Sequence, residues 1–170
     1  VELYEVQLDG IIKGSQSENS YTSPVDLKDG THELKVRAKD EVGNWSSYAT
    51  SIVVVDTNAP RIPSPKSETP TNEINPTWTW SENAESVLYE VIVDNVDHGT
   101  QTENSFTTNS LSHGNHEIKV RSQDSVGNWS EYGSHIIYVD TQAPSAPIVT
   151  SKPLTNNLTP TWTWSFIHDA

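Results

Sequence analysis

Asp40, Glu41 and Asn44 stand around Gly43, and Asp124 and Asn128 stand around Gly127 in the same way. Asp56 and Asp140 follow downstream of each group. Oxygen side chains at loose spacing are ligands for a hard cation, and calcium takes about six to eight of them. Each group supplies only a few. Calcium could therefore bind only where backbone carbonyls or a neighbouring unit complete the cage, at a junction between repeats. A local reading competes with this one. An Asp that opens a turn takes up the amides of the next residues, and Gly-Asn supplies the positive φ the turn needs. On that reading no cofactor is required.

Trp45 and Trp129 come directly after the two Asn residues. An indole on a loop can stack on a sugar ring, anchor an interface, or support the loop from beneath. These two residues are the candidates for a sugar or interface contact. Trp78 and Trp80 alternate with Thr in Pro76-Thr-Trp-Thr-Trp80, and so do Trp162 and Trp164 in Pro160-Thr-Trp-Thr-Trp164. Alternation puts both indoles of a pair on one face of a strand. We assign Trp78, Trp80, Trp162 and Trp164 to the structural core with Tyr4, Tyr89, Val36 and Val120. The six His do not gather. No Ser-His-Asp order, phosphate-cradling Gly loop or spaced His pair on a helix is present, so no catalytic residue is assigned and no enzyme is expected.

These features come in duplicate. His32-Glu-Leu-Lys-Val-Arg-Ala-Lys-Asp-Glu-Val-Gly-Asn-Trp-Ser46 returns as His116-Glu-Ile-Lys-Val-Arg-Ser-Gln-Asp-Ser-Val-Gly-Asn-Trp-Ser130. The period is about 84 residues, the mark of an array. The same shift relates Val55-Asp-Thr-Asn-Ala-Pro60 to Val139-Asp-Thr-Gln-Ala-Pro144. Tyr4-Glu-Val and Tyr89-Glu-Val differ by one residue more, a loss that falls in a turn. A catalytic pair should be unique. Duplicated residues serve architecture first.

With 10 Lys and Arg against 23 Asp and Glu, the formal charge is −13. Nucleic acid wants a basic stripe, and an anionic membrane would repel this chain. There is no run long enough to cross a membrane as a helix. The chain holds no Cys, so packing, or cations held by oxygen, must brace it. It holds no Met either and is expected to be an excerpt or a processed product.

The elements that position these residues are strands. Tyr4, Val6 and Leu8 alternate with Glu5 and Gln7, and Asp9-Gly10 turns the chain. Tyr21-Thr22 predicts a short strand, equivalent to Phe106-Thr107. Leu34, Val36 and Ala38 share the inner face of the next strand, as do Ile118, Val120 and Ser122 in its copy. Ile52 to Val55 is apolar on both faces and predicts a strand inside a sheet or against a neighbour. Pro60, Pro63, Pro65 and Pro70 predict a stiff linker over 59–70. No segment keeps a helical period. Short strands at regular spacing predict an all-β sandwich.

The order is a Pro-rich entry, a Trp strand, a Tyr-x-Val strand, Gly-x-His-x-hydrophobic-x-Val, Asp-x-x-Gly-Asn-Trp-Ser and Val-Asp-Thr-x-Ala-Pro. It resembles the bacterial Ig-like, fibronectin type III-like tandem repeats of large surface adhesins and extracellular fibres. The resemblance implies tandem Ig-like sandwiches of about 84 residues per repeat. Residues 1–58 are then the C-terminal part of a repeat lacking its first two strands, and 59–142 a complete repeat. Residues 143–170 are the first two strands of a further repeat, able to complete 1–58 of another copy. The implied function is a spacer or fibre-building module, extracellular or on the bacterial cell surface, without catalysis. Its implied partners are flanking repeats or other copies head to tail, and not nucleic acid. The alternative is a carbohydrate-binding accessory module of a secreted glycoside hydrolase, with a glycan as ligand. Exposure of Trp45, Trp78, Trp80 or Trp129 on a flat face would favour it.

Overall fold

The computed structural model describes residues 3–167, and every regular element among them is a strand. Two compact units result: Val1–Pro60 with Asp124–Asn128, and Arg61–Gln123 with Trp129–Ala170.

The first unit contains β1 (Leu3–Leu8), β2 (Ile11–Gln16), β3 (Gly30–Lys39) and β4 (Ala49–Val55). They form one antiparallel sheet in the order β2-β1-β3-β4. The β1–β2 connection is the expected two-residue turn. Asp9 and Gly10 both take positive φ, 52° and 77°, which matches the twist of the strands they join. Pairing sets Val6 opposite Val36 and Leu8 opposite Leu34, so the apolar residues of β1 and β3 share one face.

The second unit repeats this sheet with β6 (Leu88–Val93), β7 (Val96–Gln101), β9 (Gly114–Gln123) and β10 (Gly133–Val139), in the order β10-β9-β6-β7. A short second layer, β5 (Thr77–Thr79) paired with β8 (Ser105–Thr107), covers it. Trp78 of β5 and the adjoining Trp80 reach into the core, at 0% and 2% exposure. They pack with Tyr89, Val91, Val93, Ile118, Val120, Ile137 and Val139, all buried. Thr77 and Thr79 face out. The alternation read from the sequence is therefore the mechanism of burial in this copy.

The stretch expected to be a linker is part of the second unit from residue 61 onward. Lys66 pairs with Thr79, Thr71 pairs in parallel with Val139, and Pro63 and Pro65 are buried. Thr71 N donates to Tyr138 O and Asp140 N donates to Thr71 O, at 3.0 and 2.8 Å. The segment caps strand edges with backbone bonds, which an extended proline-rich chain can do wherever its non-proline amides face the edge.

Three other expectations change. Ile52 to Val55 lies on β4, an edge strand, and not inside a sheet. Ile52, Val53 and Val54 are 63%, 54% and 62% exposed. Tyr21-Thr22 forms no strand, whereas its counterpart β8 does. A strand needs a partner, and the described residues of the first unit contain no equivalent of β5. Trp162 and Trp164 are exposed and not in a core. They lie on a two-stranded ribbon, β11 (Val149–Thr150) with β12 (Thr163–Trp164), with no facing sheet to bury them. For the same reason Tyr4 and Val36 are only half-buried, while Tyr89 and Val120 are buried.

Candidate functional site

On the outer face of each four-stranded sheet an arginine is gripped from several sides. Strand register sets Glu5 of β1 opposite Arg37 of β3. Arg37 Nε donates to Glu5 Oε1 at 2.8 Å, and Tyr48 OH donates to the same oxygen. The guanidinium lies over the Trp45 ring at 4.5 Å and over Tyr48 at 4.9 Å. The second copy repeats every part. Arg121 Nε donates to Glu90 Oε2 at 2.5 Å, Tyr132 OH donates to that oxygen, and Trp129 and Tyr132 lie 4.6 and 4.9 Å from the guanidinium. The Arg37 hydrogen bond, then that of Tyr48, holds Glu5 below its ordinary pKa. Glu90 is likewise lowered, by Arg121 first, against its own burial. A guanidinium stacked on aromatic faces is held by cation–π attraction as well as by charge.

This clamp accounts for the Asn-Trp-Ser-x-Tyr pattern. Ser46 N donates to Ala38 O, and Ala38 N donates to Ser46 Oγ at 3.0 Å. Ser130 and Ser122 make the same exchange. The serine seats the loop on the strand, and the indole closes over the arginine. Trp45 is 36% exposed and Trp129 half-buried, each with arginine on its ring. The sequence showed the Trp but not its partner. The signal was there in the joint repetition of Glu5, Arg37 and Tyr48 as Glu90, Arg121 and Tyr132.

Asp40, Asp56, Asp124 and Asp140, read as calcium ligands, bond within their own turns. Asp124 Oδ1 accepts the amides of Val126, Gly127 and Asn128 at 3.0, 2.8 and 2.9 Å, and Oδ2 accepts Asn128 Nδ2 at 2.8 Å. Burial pushes the pKa of Asp124 up, but the Asn128 side chain and the turn amides outweigh it and the net direction is down. Asp40 accepts the amides of Val42 and Asn44 and the Asn44 side chain. Gly43 and Gly127 take φ of 101° and 103°, the conformation that calls for glycine here. Asp56 and Asp140 each accept an amide two residues on. Glu41 is exposed. Among the described residues no three His, Asp or Glu gather as a metal cage. The oxygens of Asp40 and Asp124 already face hydrogen-bond donors, which leaves little of them for a cation. Within the first unit, Asn128 Nδ2 also donates to the carbonyls of Asp56 and Asn58, at 3.1 Å each.

A histidine staple, also duplicated, crosses from the hairpin turn to the long strand. His32 Nδ1 lies 2.7 Å from Asp9 Oδ2, and Nε2 lies 2.7 Å from the Lys28 carbonyl. His116 meets Asp94 and the Ser112 carbonyl at 2.6 and 2.8 Å. Both ring nitrogens face acceptors, an arrangement satisfied in full only by the imidazolium. The Lys28 carbonyl, then Asp9, raises the pKa of His32. For His116 burial acts downward, and Asp94 with the Ser112 carbonyl overcomes it.

Residues 3–57 match the family model described as the bacterial Ig-like domain. That stretch of the chain is similar to a bacterial Ig-like domain. Its match spans β1 to β4 and the Arg37 clamp. Over most of the chain, the architecture is similar to fibronectin(III)-like modules of CbhA from Clostridium thermocellum, with 21% identity and a TM-score of 0.51. That similarity covers 82% of this chain and 78% of the other, and at this identity it shows the fold alone. A weaker likeness, TM-score 0.39 and 16% identity over 46% of this chain and 28% of the other, is to the spore cortex lytic enzyme SleM of Clostridium perfringens. Comparison with curated protein sequences gives no match. The Ig-like domain and its second copy thus share clamp, turn and staple, each built from internal bonds.

Proposed function

We propose that this chain is part of an extracellular array of Ig-like repeats that spaces or builds a filament and carries out no catalysis. One observation carries the reading. The polar and aromatic residues best suited to chemistry occur twice, and in both copies they bond to one another: Arg37 with Glu5, Tyr48 and Trp45, and Arg121 with Glu90, Tyr132 and Trp129. A group satisfied within the fold contributes to stability and has little left for a substrate. The match of residues 3–57 to a bacterial Ig-like domain supports the extracellular setting, since such modules are common in secreted and surface proteins. No helix among the described residues is long and apolar enough to cross a membrane.

The carbohydrate-binding alternative loses support from Trp78 and Trp80, which are buried, while Trp45 and Trp129 each have one ring face taken by arginine and Trp45 keeps 36% exposure. Trp162 and Trp164 are the most exposed indoles among the described residues, at 57% and 68%, against 36% for Trp45. A glycan panel probed with the 170-residue chain checks both readings. The spacer reading expects no retention on plant, bacterial or host glycans. Retention that Trp162→Ala abolishes would replace it with the glycan-binding one.

A further inference from the structure

The stretch that leads out of each four-stranded sheet is held by a side chain that differs between the two copies. Val55-Asp-Thr-Asn58 is equivalent to Val139-Asp-Thr-Gln142, and Asp29, just before β3, is equivalent to His113, just before β9. In the first copy Asp29 Oδ1 accepts Thr57 N at 3.0 Å and Thr57 Oγ1 at 2.9 Å, and Oδ2 accepts Asn58 Nδ2 at 2.6 Å. In the second copy Thr141 N donates to His113 Nδ1 at 3.3 Å. The same threonine amide thus ends on a carboxylate in one copy and on an imidazole in the other. Clamp, Asp turn and staple are duplicated residue for residue, whereas this position is not.

The surroundings of His113 pull its protonation in two directions. Nδ1 accepts the Thr141 amide only with its lone pair free, so in this bond the ring is neutral and carries its proton on Nε2. Nε2 donates that proton to Tyr138 OH across 3.0 Å, and Tyr138 meets the ring edge-on with centroids 5.4 Å apart. Val54 stands where Tyr138 does, so the first copy lacks this support as well. Asp140 Oδ1 lies 3.4 Å from the same Nδ1. Asp140 is fixed in place, because its Oδ1 accepts Gln142 N and its N donates to Thr71 O. Asp140 and Tyr138 are the titratable groups that meet this ring among the described residues. The neutral ring suits Thr141, and the imidazolium suits Asp140. The ring is 31% exposed, so solvent protons reach it.

We propose that His113 is a pH-operated latch on residues 141–144: the neutral ring holds the Thr141 amide, and protonation turns Nδ1 over to Asp140 and releases Thr141. A proton added at Nδ1 replaces the lone pair with an N–H. It then faces the N–H of Thr141 in repulsion and gains a charge-assisted bond to Asp140. Histidine changes its charge between about pH 5 and 8, so mild acid is enough to open the latch. A carboxyl oxygen keeps lone pairs in either protonation state, so the hold on Thr57 has no such switch. In an array, the way out of the second repeat is then looser in acid than at neutral pH. That use rests on the spacer reading; the latch itself does not.

Hydrogen exchange of single amides, followed by NMR on the 170-residue chain, tests the proposal. Corrected for intrinsic rate, the protection of the Thr141 amide should fall at least about fivefold between about pH 8 and pH 5, the scale of one net hydrogen bond. The Thr57 amide in the same sample should keep its protection. His113→Asn, whose Oδ1 can accept the amide at every pH, should leave Thr141 equally protected throughout. Equal protection of Thr141 at both ends of the range in the unaltered chain overturns the proposal. So does a fall that persists in His113→Asn, or a parallel fall at Thr57, since acid would then loosen the fold in general. The spacer reading is untouched by these outcomes and stands or falls with the glycan panel.

Discussion

Trp80 meets Tyr89 edge-on, with ring centroids 5.4 Å apart and planes at 68°. This contact joins the short layer of the second unit to its four-stranded sheet. Both rings are buried, as is Trp78, so deletion of the Trp78 or Trp80 indole leaves a large hole that a small core cannot refill. Trp78→Ala or Trp80→Ala should cost the second unit about 3–5 kcal/mol. Trp162→Ala, on the exposed ribbon, should change the stability of dilute monomer by less than about 0.5 kcal/mol. Urea unfolding followed by circular dichroism distinguishes the two.

Gly133 lets the backbone of Pro63 approach the start of β10. Its requirement is space and not unusual φ, since an added Cβ would fall inside the Pro63 carbonyl. Gly133→Ala should destabilise the second unit by about 1–3 kcal/mol, the range for overpacking. Thermal unfolding of the variant reads this directly. A neutral result would mean that residues 61–71 can move off the edge of β10 without loss.

The histidine staple makes stability depend on pH. The folded pKa of His32 and of His116 is raised above the ordinary value of 6.5. A raised pKa gives stability that is complete below 6.5 and is lost as pH climbs through the folded value. Asp9 is lowered below its ordinary 3.8, by His32 first, so its contribution is present above 3.8 and is lost as pH falls through its folded value. The staple is therefore strongest between these limits. The melting temperature should fall as pH rises above neutrality, and the fall should flatten in His32→Gln/His116→Gln.

Arg121 should resist conservative exchange. Lysine can keep the charge beside Glu90 but cannot lie flat between Trp129 and Tyr132 while donating along the strand pair. Arg121→Lys should cost about 0.5–1 kcal/mol, the scale of an exposed cation–π contact, and shift the Trp129 fluorescence. An unchanged spectrum would mean that the ring is held without the guanidinium.

The Asp turns should be indifferent to calcium. Thermal melts in millimolar calcium and in chelator are expected to superimpose, because Asp40 and Asp124 already accept the amides of their turns. A rise in melting temperature with calcium would show that these oxygens turn outward to a cation.

Much of this molecule was legible in one dimension. The repeat, the all-β class, the Asp9-Gly10 turn and the shared face of Trp78 and Trp80 follow from spacing and alternation, which depend only on local backbone geometry. The clamp and the staple were not legible, although all their residues were in view. Glu5 meets Arg37 across about 32 residues and His32 meets Asp9 across about 23, and only strand register brings them together. The same limit explains the split fates of identical motifs. Pro-Thr-Trp-Thr-Trp is core at 76–80 and surface at 160–164, and a Tyr-Thr or Phe-Thr pair is a strand only in the second copy. Side-chain periodicity determined which face of each strand would be apolar. Tertiary structure decided whether that face was covered, because burial belongs to a pair of surfaces and a sequence describes one at a time.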